Sequence, residues 1–104
     1  MSIKKIGVAE IEKEFGVLTF GRLLKAHRQG EEITQVGFAK MLGISKQSLN
    51  DLENGRKLPS LRRAMTIAKK IHLQPELAVQ VVLQEQINKE NLKLSVSVKL
   101  DKAA

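Results

Sequence analysis

The chain has 104 residues, a formal net charge of +7 and a hydrophobic fraction of 42%, and it contains no cysteine, tryptophan or tyrosine. This length and composition predict one domain with a buried core and argue against a disordered chain. The missing cysteines exclude a disulfide scaffold, thiolate metal sites and thiol nucleophiles and favour a cytoplasmic location, and the apolar runs are too short for a membrane span.

The excess positive charge is concentrated in the middle of the chain. Residues 33–75 hold eight basic and two acidic side chains, whereas residues 1–32 and 76–104 are close to neutral. Such a distribution is typical of a surface that binds a polyanion, with nucleic acid as the most common partner. The alternative from charge alone is a surface that only confers solubility.

The N-terminal extension, residues 1–18, contains one short helical pattern. Val8, Ile11 and Phe15 recur every three or four residues, which predicts an amphipathic helix over residues 6–15 that ends at Gly16. A second helical pattern begins at residue 19. Thr19 is the predicted N-cap of a helix that ends near residue 30.

Two short helices joined by a glycine turn follow next. Thr34 can cap a helix over residues 35–42, and Gly43 then turns the chain. Ser45 can cap a second helix over residues 46–54, in which Leu49 and Leu52 face inward, before the Asn54-Gly55 pair ends it. This arrangement predicts a helix-turn-helix.

The stretch ITQVGFAKMLGISKQSLNDLENGRKLPS resembles the helix-turn-helix of the Xre-type regulators, which are related to the phage lambda and phage 434 repressors and Cro. With its flanking segments the resemblance covers roughly residues 19–73. Nine residues fall at the family's spacing without an insertion: Gln35, Ala39, Gly43, Ile44, Leu49, Leu52, Glu53, Gly55 and Pro59. Gly37 departs from the pattern, because glycine inside a helix costs about 1 kcal/mol relative to alanine.

The resemblance implies that the second helix of the motif enters the DNA major groove, where its outward side chains reach base edges. The candidate base contacts are Lys46, Gln47, Asn50 and Asp51. Glutamine and asparagine can pair with adenine, lysine can donate to guanine, and aspartate can accept from cytosine. Outside this motif, the same polar set would be only a solvated helix face.

A second set of residues is expected to hold the DNA backbone. The candidate phosphate contacts are Thr34, Gln35, Ser48, Arg56 and Lys57. Family members use the glutamine position in this way. The resemblance also implies a structural ion pair between Arg28 and Glu53, so these two residues are not interpreted as a catalytic pair.

Enzymatic activity is not expected from this sequence. Its two histidines, His27 and His72, are isolated, and no metal-ligand spacing and no phosphate-binding glycine loop is present. We therefore predict no catalytic residues, no metal and no cofactor.

The C-terminal third combines a helical pattern with an alternating one. Pro75 is suited to the first turn of a helix that reaches about residue 88. Apolar and polar residues then alternate without error, which predicts a β-strand over residues 92–100. Its apolar positions are Leu92, Leu94, Val96, Val98 and Leu100.

A single strand needs a second one to satisfy its backbone. The same strand from a second copy would build a symmetric homodimer, which suits a regulator of two-fold operators. A toxin protein could receive the strand by β-addition if the chain were an antitoxin. The remaining alternatives are pairing with residues 3–8 and a disordered tail.

The sequence thus predicts a mainly α protein: a five-helix repressor-like domain over residues 19–90, preceded by an extra N-terminal helix and followed by a dimerisation or partner-binding segment, residues 91–104, with a strand that pairs across a dimer. The expected function is a DNA-binding transcriptional regulator, most simply a dimeric repressor that binds double-stranded DNA and no membrane. One alternative is a HigA-like antitoxin that represses its own operon. Another is a protein-interaction module that has lost DNA binding.

Overall fold

The computed structural model describes residues 17–101. The predicted helix over residues 6–15, the candidate strand partner over residues 3–8 and the end of the tail, residues 102–104, lie outside the described residues. Within the described part the chain forms five α-helices: α1 (Phe20–Gly30), α2 (Gln35–Leu42), α3 (Lys46–Glu53), α4 (Leu61–Lys70) and α5 (Pro75–Lys89).

Hydroxyl caps fix where the first four of these helices begin. In each case a threonine or serine in extended conformation accepts a hydrogen bond from the backbone N–H three residues later, at 3.0–3.1 Å. These caps are Thr19, Thr34, Ser45 and Ser60. Helix α5 starts differently, with Pro75 in its first turn and no side-chain cap. The caps predicted from the sequence at Thr19, Thr34 and Ser45 are confirmed.

The core lies where α1, α2 and α3 meet α4 and α5. Helix α3 packs against both α1 and α2, and α5 packs mainly against α4 and also touches α1. The largest fully buried side chains are Phe20, Phe38, Leu24, Leu49, Ile67 and Val82. Burying an aliphatic or aromatic side chain of this size contributes about 1.5–3 kcal/mol, so these residues dominate the stability of the bundle.

The predicted C-terminal strand is wrong. Within residues 17–101 the structure contains no β-strand, and residues 92–101 form neither helix nor strand. The alternating pattern does not create one buried face, because Leu92, Leu94 and Leu100 are exposed while only Val96 and Val98 are half-buried. A strand that pairs across a dimer is therefore not supported.

Side chains of α5 form backbone hydrogen bonds that a partner strand was expected to supply. Gln84 Nε2 donates to the carbonyl of Leu94 at 2.7 Å, and Gln84 Oε1 accepts from the N–H of Val96 at 2.9 Å. Gln80 Oε1 accepts from the N–H of Val98 at 3.1 Å. A glutamine amide carries the same donor and acceptor as a peptide group, so these two side chains satisfy part of the backbone of residues 92–101, called here the C-terminal segment.

None of the helices in the described range combines the length and the apolar character that a bilayer-spanning helix requires.

Candidate nucleic-acid interface

The turn between α2 and α3 is fixed by a left-handed glycine and by contacts from outside the motif. Gly43 has a φ of 73°, a conformation that glycine adopts without steric cost. The N–H of Ile44 returns to the carbonyl of Ala39 at 3.0 Å, which closes the C-terminus of α2. Lys70 Nζ donates to the carbonyl of Leu42 at 3.1 Å, so the end of α4 stabilises the same helix end.

Helix α3 has one buried side and one outward side. Leu49 and Leu52 are buried in the core, as the sequence predicted. Lys46 and Gln47 are exposed on the first turn of the helix, and Asn50 follows one turn later in a half-buried position. The outward side of α3 thus presents an ammonium group and two amides from a helix whose opposite side is held by the core.

A chain of polar contacts links α1, α2 and α3 beneath this outward side. Arg28 donates to both carboxylate oxygens of Glu53, at 2.8 and 3.1 Å, and the Glu53 side chain is only 1% exposed. Gln35 Nε2 donates to the same carboxylate at 3.0 Å, and Gln35 Oε1 accepts from Asn50 Nδ2 at 3.4 Å. We call these four residues the Glu53 network. The hydrogen bond to Glu53 raises the pKa of Arg28 above its ordinary value.

Asp51 is placed differently from the other candidate base contacts. Its side chain is 12% exposed, and Oδ1 accepts from Arg56 Nε at 2.9 Å and from Gln47 Nε2 at 3.1 Å. Lys57 Nζ lies 3.8 Å from Oδ2. The hydrogen bond from Arg56, with that from Gln47, lowers the pKa of the Asp51 carboxyl below its ordinary value against the opposing effect of burial. Asp51 is therefore a carboxylate whose oxygens are engaged by its own chain.

The candidate phosphate contacts fall into two groups. Thr34 and Ser48 have hydroxyls in local hydrogen bonds, since Thr34 caps α2 and Ser48 Oγ accepts from Ser45 Oγ at 2.9 Å. The Gln35 amide is held in the Glu53 network. In contrast, the side chains of Arg56 and Lys57 are 53% and 74% exposed. The structure thus brings two cations to the surface directly after α3, and Arg56 also donates to Asn50 Oδ1.

The basic surface continues beyond Lys57. The segment over residues 54–75 contains six basic residues and no acidic residue. Arg62, Arg63 and Lys69 are exposed on α4. Arg63 and Lys57 also line one open cleft with Ser48 and Ser60, beside the start of α4. Of the basic residues on α4, Arg63 therefore lies beside Lys57 and Ser48 of α3.

Within residues 17–101 no group of three or more His, Cys, Asp or Glu side chains is arranged to hold a metal ion. The rings of His27 and Phe38 are tilted by 32° with their centroids 5.8 Å apart, and His72 lies in the turn that follows α4.

Sequence reasoning missed two residues that position the interface. Gly21 lies where α1 crosses the end of α3, and a Cβ atom there would be 2.2 Å from the carbonyl oxygen of Leu52. Glu85 of α5 accepts from the N–H of Phe20 at 3.1 Å and so binds the start of α1. Neither contact has a local signal, because the partners are distant in sequence. Gly21 stands near the start of a helix and not in a turn, and a glycine in such a position can indicate that two backbones approach closely.

Three relatives among curated proteins match part of the chain. A 10 kDa protein of the ImmF control region of Bacillus phage phi105 is 43% identical over 53 residues, which cover 51% of this chain and 59% of the relative. The HTH-type transcriptional regulator YazB of Bacillus subtilis is 49% identical over 41 residues, or 39% of this chain and 59% of that protein. An HTH-type transcriptional regulator of Methanocaldococcus jannaschii is 44% identical over 46 residues, which cover 44% of this chain and 70% of that protein.

A family model described as helix-turn-helix matches residues 24–77, just over half of the chain. The matched range contains most of α1, all of α2, α3 and α4, and the first turn of α5. It thus covers the Glu53 network, the outward side of α3 and the basic residues that follow it. The chain belongs to the Xre-like helix-turn-helix family.

Proposed function

We propose that the protein is a sequence-specific DNA-binding transcriptional regulator that reads the major groove with α3, most simply as a dimeric repressor. The observation that carries the proposal is the outward side of α3, where Lys46, Gln47 and Asn50 project from a helix whose other side is buried. An α-helix fits the major groove of B-DNA, and polar side chains on its first turns reach base edges.

The outward residues have the chemistry that base recognition requires. Gln47 and Asn50 each offer an amide donor and an acceptor, the pair that matches adenine, and Lys46 can donate to guanine. In the free protein Asn50 is held by Gln35 and Arg56, so its amide is oriented before DNA arrives. An oriented side chain loses less conformational freedom when it binds.

Phosphate contacts would fix the protein on the duplex. The exposed cations Arg56 and Lys57 follow α3 directly and are the strongest candidates. Thr34, Gln35 and Ser48 are proposed to contribute from the helix N-termini, where backbone N–H groups favour an anion. The Thr34 and Ser48 hydroxyls accept internal hydrogen bonds and keep their own O–H groups as donors. The Gln35 side chain is held by Glu53, so its backbone N–H is the expected donor, while the backbone N–H of Ser48 is bonded to Ser45.

The names of the relatives support a regulatory role. Two are described as HTH-type transcriptional regulators and one as a protein of a phage control region. The matched residues span 59% of the length of each of the first two relatives. The activity of the whole protein is therefore proposed here and is not taken over from these relatives. A dimer is proposed because one recognition helix reads few base pairs, and two copies would read half-sites about 34–36 Å apart.

Selection from a random pool of duplexes tests the proposal without knowledge of the operator. Purified protein is used to enrich bound duplexes, and the enriched site and a scrambled version are then titrated by fluorescence anisotropy at two salt concentrations. We expect one enriched site, often palindromic, that binds at least about a thousandfold more tightly than the scrambled duplex. Both affinities should fall as salt rises.

The outcomes separate the candidate functions. Occurrence of the enriched site in the DNA upstream of the protein's own gene would support an autoregulator, which the repressor and antitoxin hypotheses both predict. A short neighbouring gene for a small basic toxin that binds the purified protein would then favour the antitoxin. Equal binding to all duplexes, with normal folding, would contradict sequence-specific recognition and favour a protein-interaction module.

A further inference from the structure

Asp51 lies at a position of α3 from which an outward side chain would reach the groove, yet its contacts are made with its own chain. Its carboxylate accepts from Gln47 one turn earlier and from Arg56 in the loop that follows α3. Its backbone carbonyl also accepts from the N–H groups of Arg56 and Lys57, at 2.9 and 3.4 Å. Asp51 thus joins the start of α3 to the basic loop.

Direct base reading would require Asp51 to give up these contacts. A carboxylate has no donor, so it could only accept from the amino group of cytosine or adenine, and its charge would face the phosphates of the duplex unfavourably. Releasing it would also leave the Arg56 guanidinium without the partner that holds it beside Asn50. These costs favour a role within the protein.

The contact with Asp51 determines which end of the Gln47 amide faces the carboxylate. Because a carboxylate only accepts hydrogen bonds, the Nε2 end must point toward Asp51, as the 3.1 Å contact shows. One N–H is then used, and Oε1 and the second N–H remain. An acceptor beside a donor is the arrangement that pairs with N6 and N7 of adenine.

We propose that Asp51 is a positioning residue that orients Gln47 toward adenine and holds Arg56 beside the groove, and that it does not contact a base itself. This inference rests on the proposed function, since it assigns how α3 reads an A·T pair. It predicts that Asp51 and Gln47 act on the same base pair of the preferred site.

A base-substitution scan of the selected site tests the proposal. Each base pair is replaced in turn, and the affinity is measured for the wild type, Gln47→Ala, Asp51→Ala and the double variant. Alanine is used at position 51 because asparagine would keep the Oδ1 acceptor for Gln47 and Arg56. We expect Gln47→Ala to lose about tenfold discrimination at one A·T pair, Asp51→Ala to lose it at the same pair, and the double variant to lose no more. Glu90→Ala is the matched control, because it removes one carboxylate at the exposed end of α5.

Two results of the scan would overturn the proposal. If Asp51→Ala relaxes a different base pair and leaves the pair read by Gln47 unchanged, Asp51 reads DNA directly. If Asp51→Ala keeps the full discrimination of Glu90→Ala, Asp51 does not orient Gln47. Thermal unfolding of each variant checks that the fold is retained.

A measurement on the free wild-type protein tests the same inference if Asp51→Ala does not fold. In an NMR pH titration, the side-chain signals of Gln47 Nε2 and Arg56 Nε should shift together with the Asp51 carboxyl. Signals that do not respond to that carboxyl would contradict the inference. A wild type with co-titrating signals but no preferred DNA site would instead contradict the proposed function alone.

Discussion

The Glu53 network and the contacts of the C-terminal segment satisfy polar groups in different ways. The first joins three helices around a carboxylate that is 1% exposed, with a two-pronged contact from Arg28. The second joins an exposed segment to one helix through the amides of Gln80 and Gln84. Charge-assisted contacts away from water are stronger than neutral contacts beside it, so the protein should be rigid at α3 and easily opened at residues 92–101.

The largest expected effect comes from the centre of the Glu53 network. Replacing Glu53 by alanine leaves Arg28 and Gln35 without their shared acceptor, and breaking a buried ion pair from one side costs about 3–5 kcal/mol. Urea unfolding measures the loss. The double replacement Arg28→Met with Glu53→Met should cost less than Glu53→Ala, since no buried charge remains unpaired.

The matched control for that variant is Glu90→Ala, because Glu90 is exposed after α5. It should change the free energy of unfolding by about 0.5 kcal/mol or less. A Glu53→Ala protein as stable as this control would show that the network does not hold the three helices together.

A smaller loss is expected where α1 crosses α3. In Gly21→Ala the added methyl group would lie 2.2 Å from a backbone oxygen of Leu52, so one helix must move. Overpacking costs about 1–3 kcal/mol, and we expect the upper part of this range because a backbone atom is involved. Thermal unfolding is the measurement. Gly30→Ala is the control, since nothing lies within 4 Å of the added atom, and it should not destabilise the protein.

Lysine substitutions directly after α3 and in the C-terminal segment test which of these two regions contacts DNA. Lys57→Ala should weaken binding to every duplex and reduce the slope of log affinity against log salt by about one unit, because one phosphate contact is lost. Lys93→Ala removes the same charge from the C-terminal segment and should leave the slope unchanged. Anisotropy titrations at several salt concentrations give both slopes. Equal slopes for the two variants would remove Lys57 from the interface.

The smallest effect is expected in the C-terminal segment. Gln84→Ala removes an exposed hydrogen bond to Leu94 and a partly buried one from Val96, and such bonds contribute about 1 kcal/mol each. The global free energy of unfolding should therefore change little, while amide exchange at Val96 accelerates. Unchanged exchange at Val96 would show that Gln84 does not hold the segment.

Local signals explain most of what the sequence predicted. The boundaries of α2 and α3 follow from Thr34, Gly43 and Ser45, which act on backbone groups within three or four residues. The predicted ending of α3 near residue 54 differs by one residue from the structure. The identity of the motif and the pairing of Arg28 with Glu53 came from the family resemblance, because 25 residues separate the two side chains.

Long-range contacts explain what the sequence did not predict. Alternation over residues 92–100 indicates a strand only if another strand supplies the backbone partners, and here Gln80 and Gln84 supply part of them. Lys93 adopts a φ of 54°, which interrupts an extended segment. The hydrogen bonds of Asp51 with Gln47 and Arg56 could not be predicted from residue spacing alone. The helical period allows the Asp51 side chain to face either outward or inward.

NMR mapping of the DNA-binding surface shows whether α3 is the helix that reads DNA. ¹⁵N-labelled protein is titrated with the selected duplex, and the backbone shifts of every helix are compared. We expect the largest changes at the N-termini of α2 and α3 and at Arg56 and Lys57, with small changes in α5 and the C-terminal segment. Largest changes in α5 or the C-terminal segment, with α3 unaffected, would contradict recognition by α3.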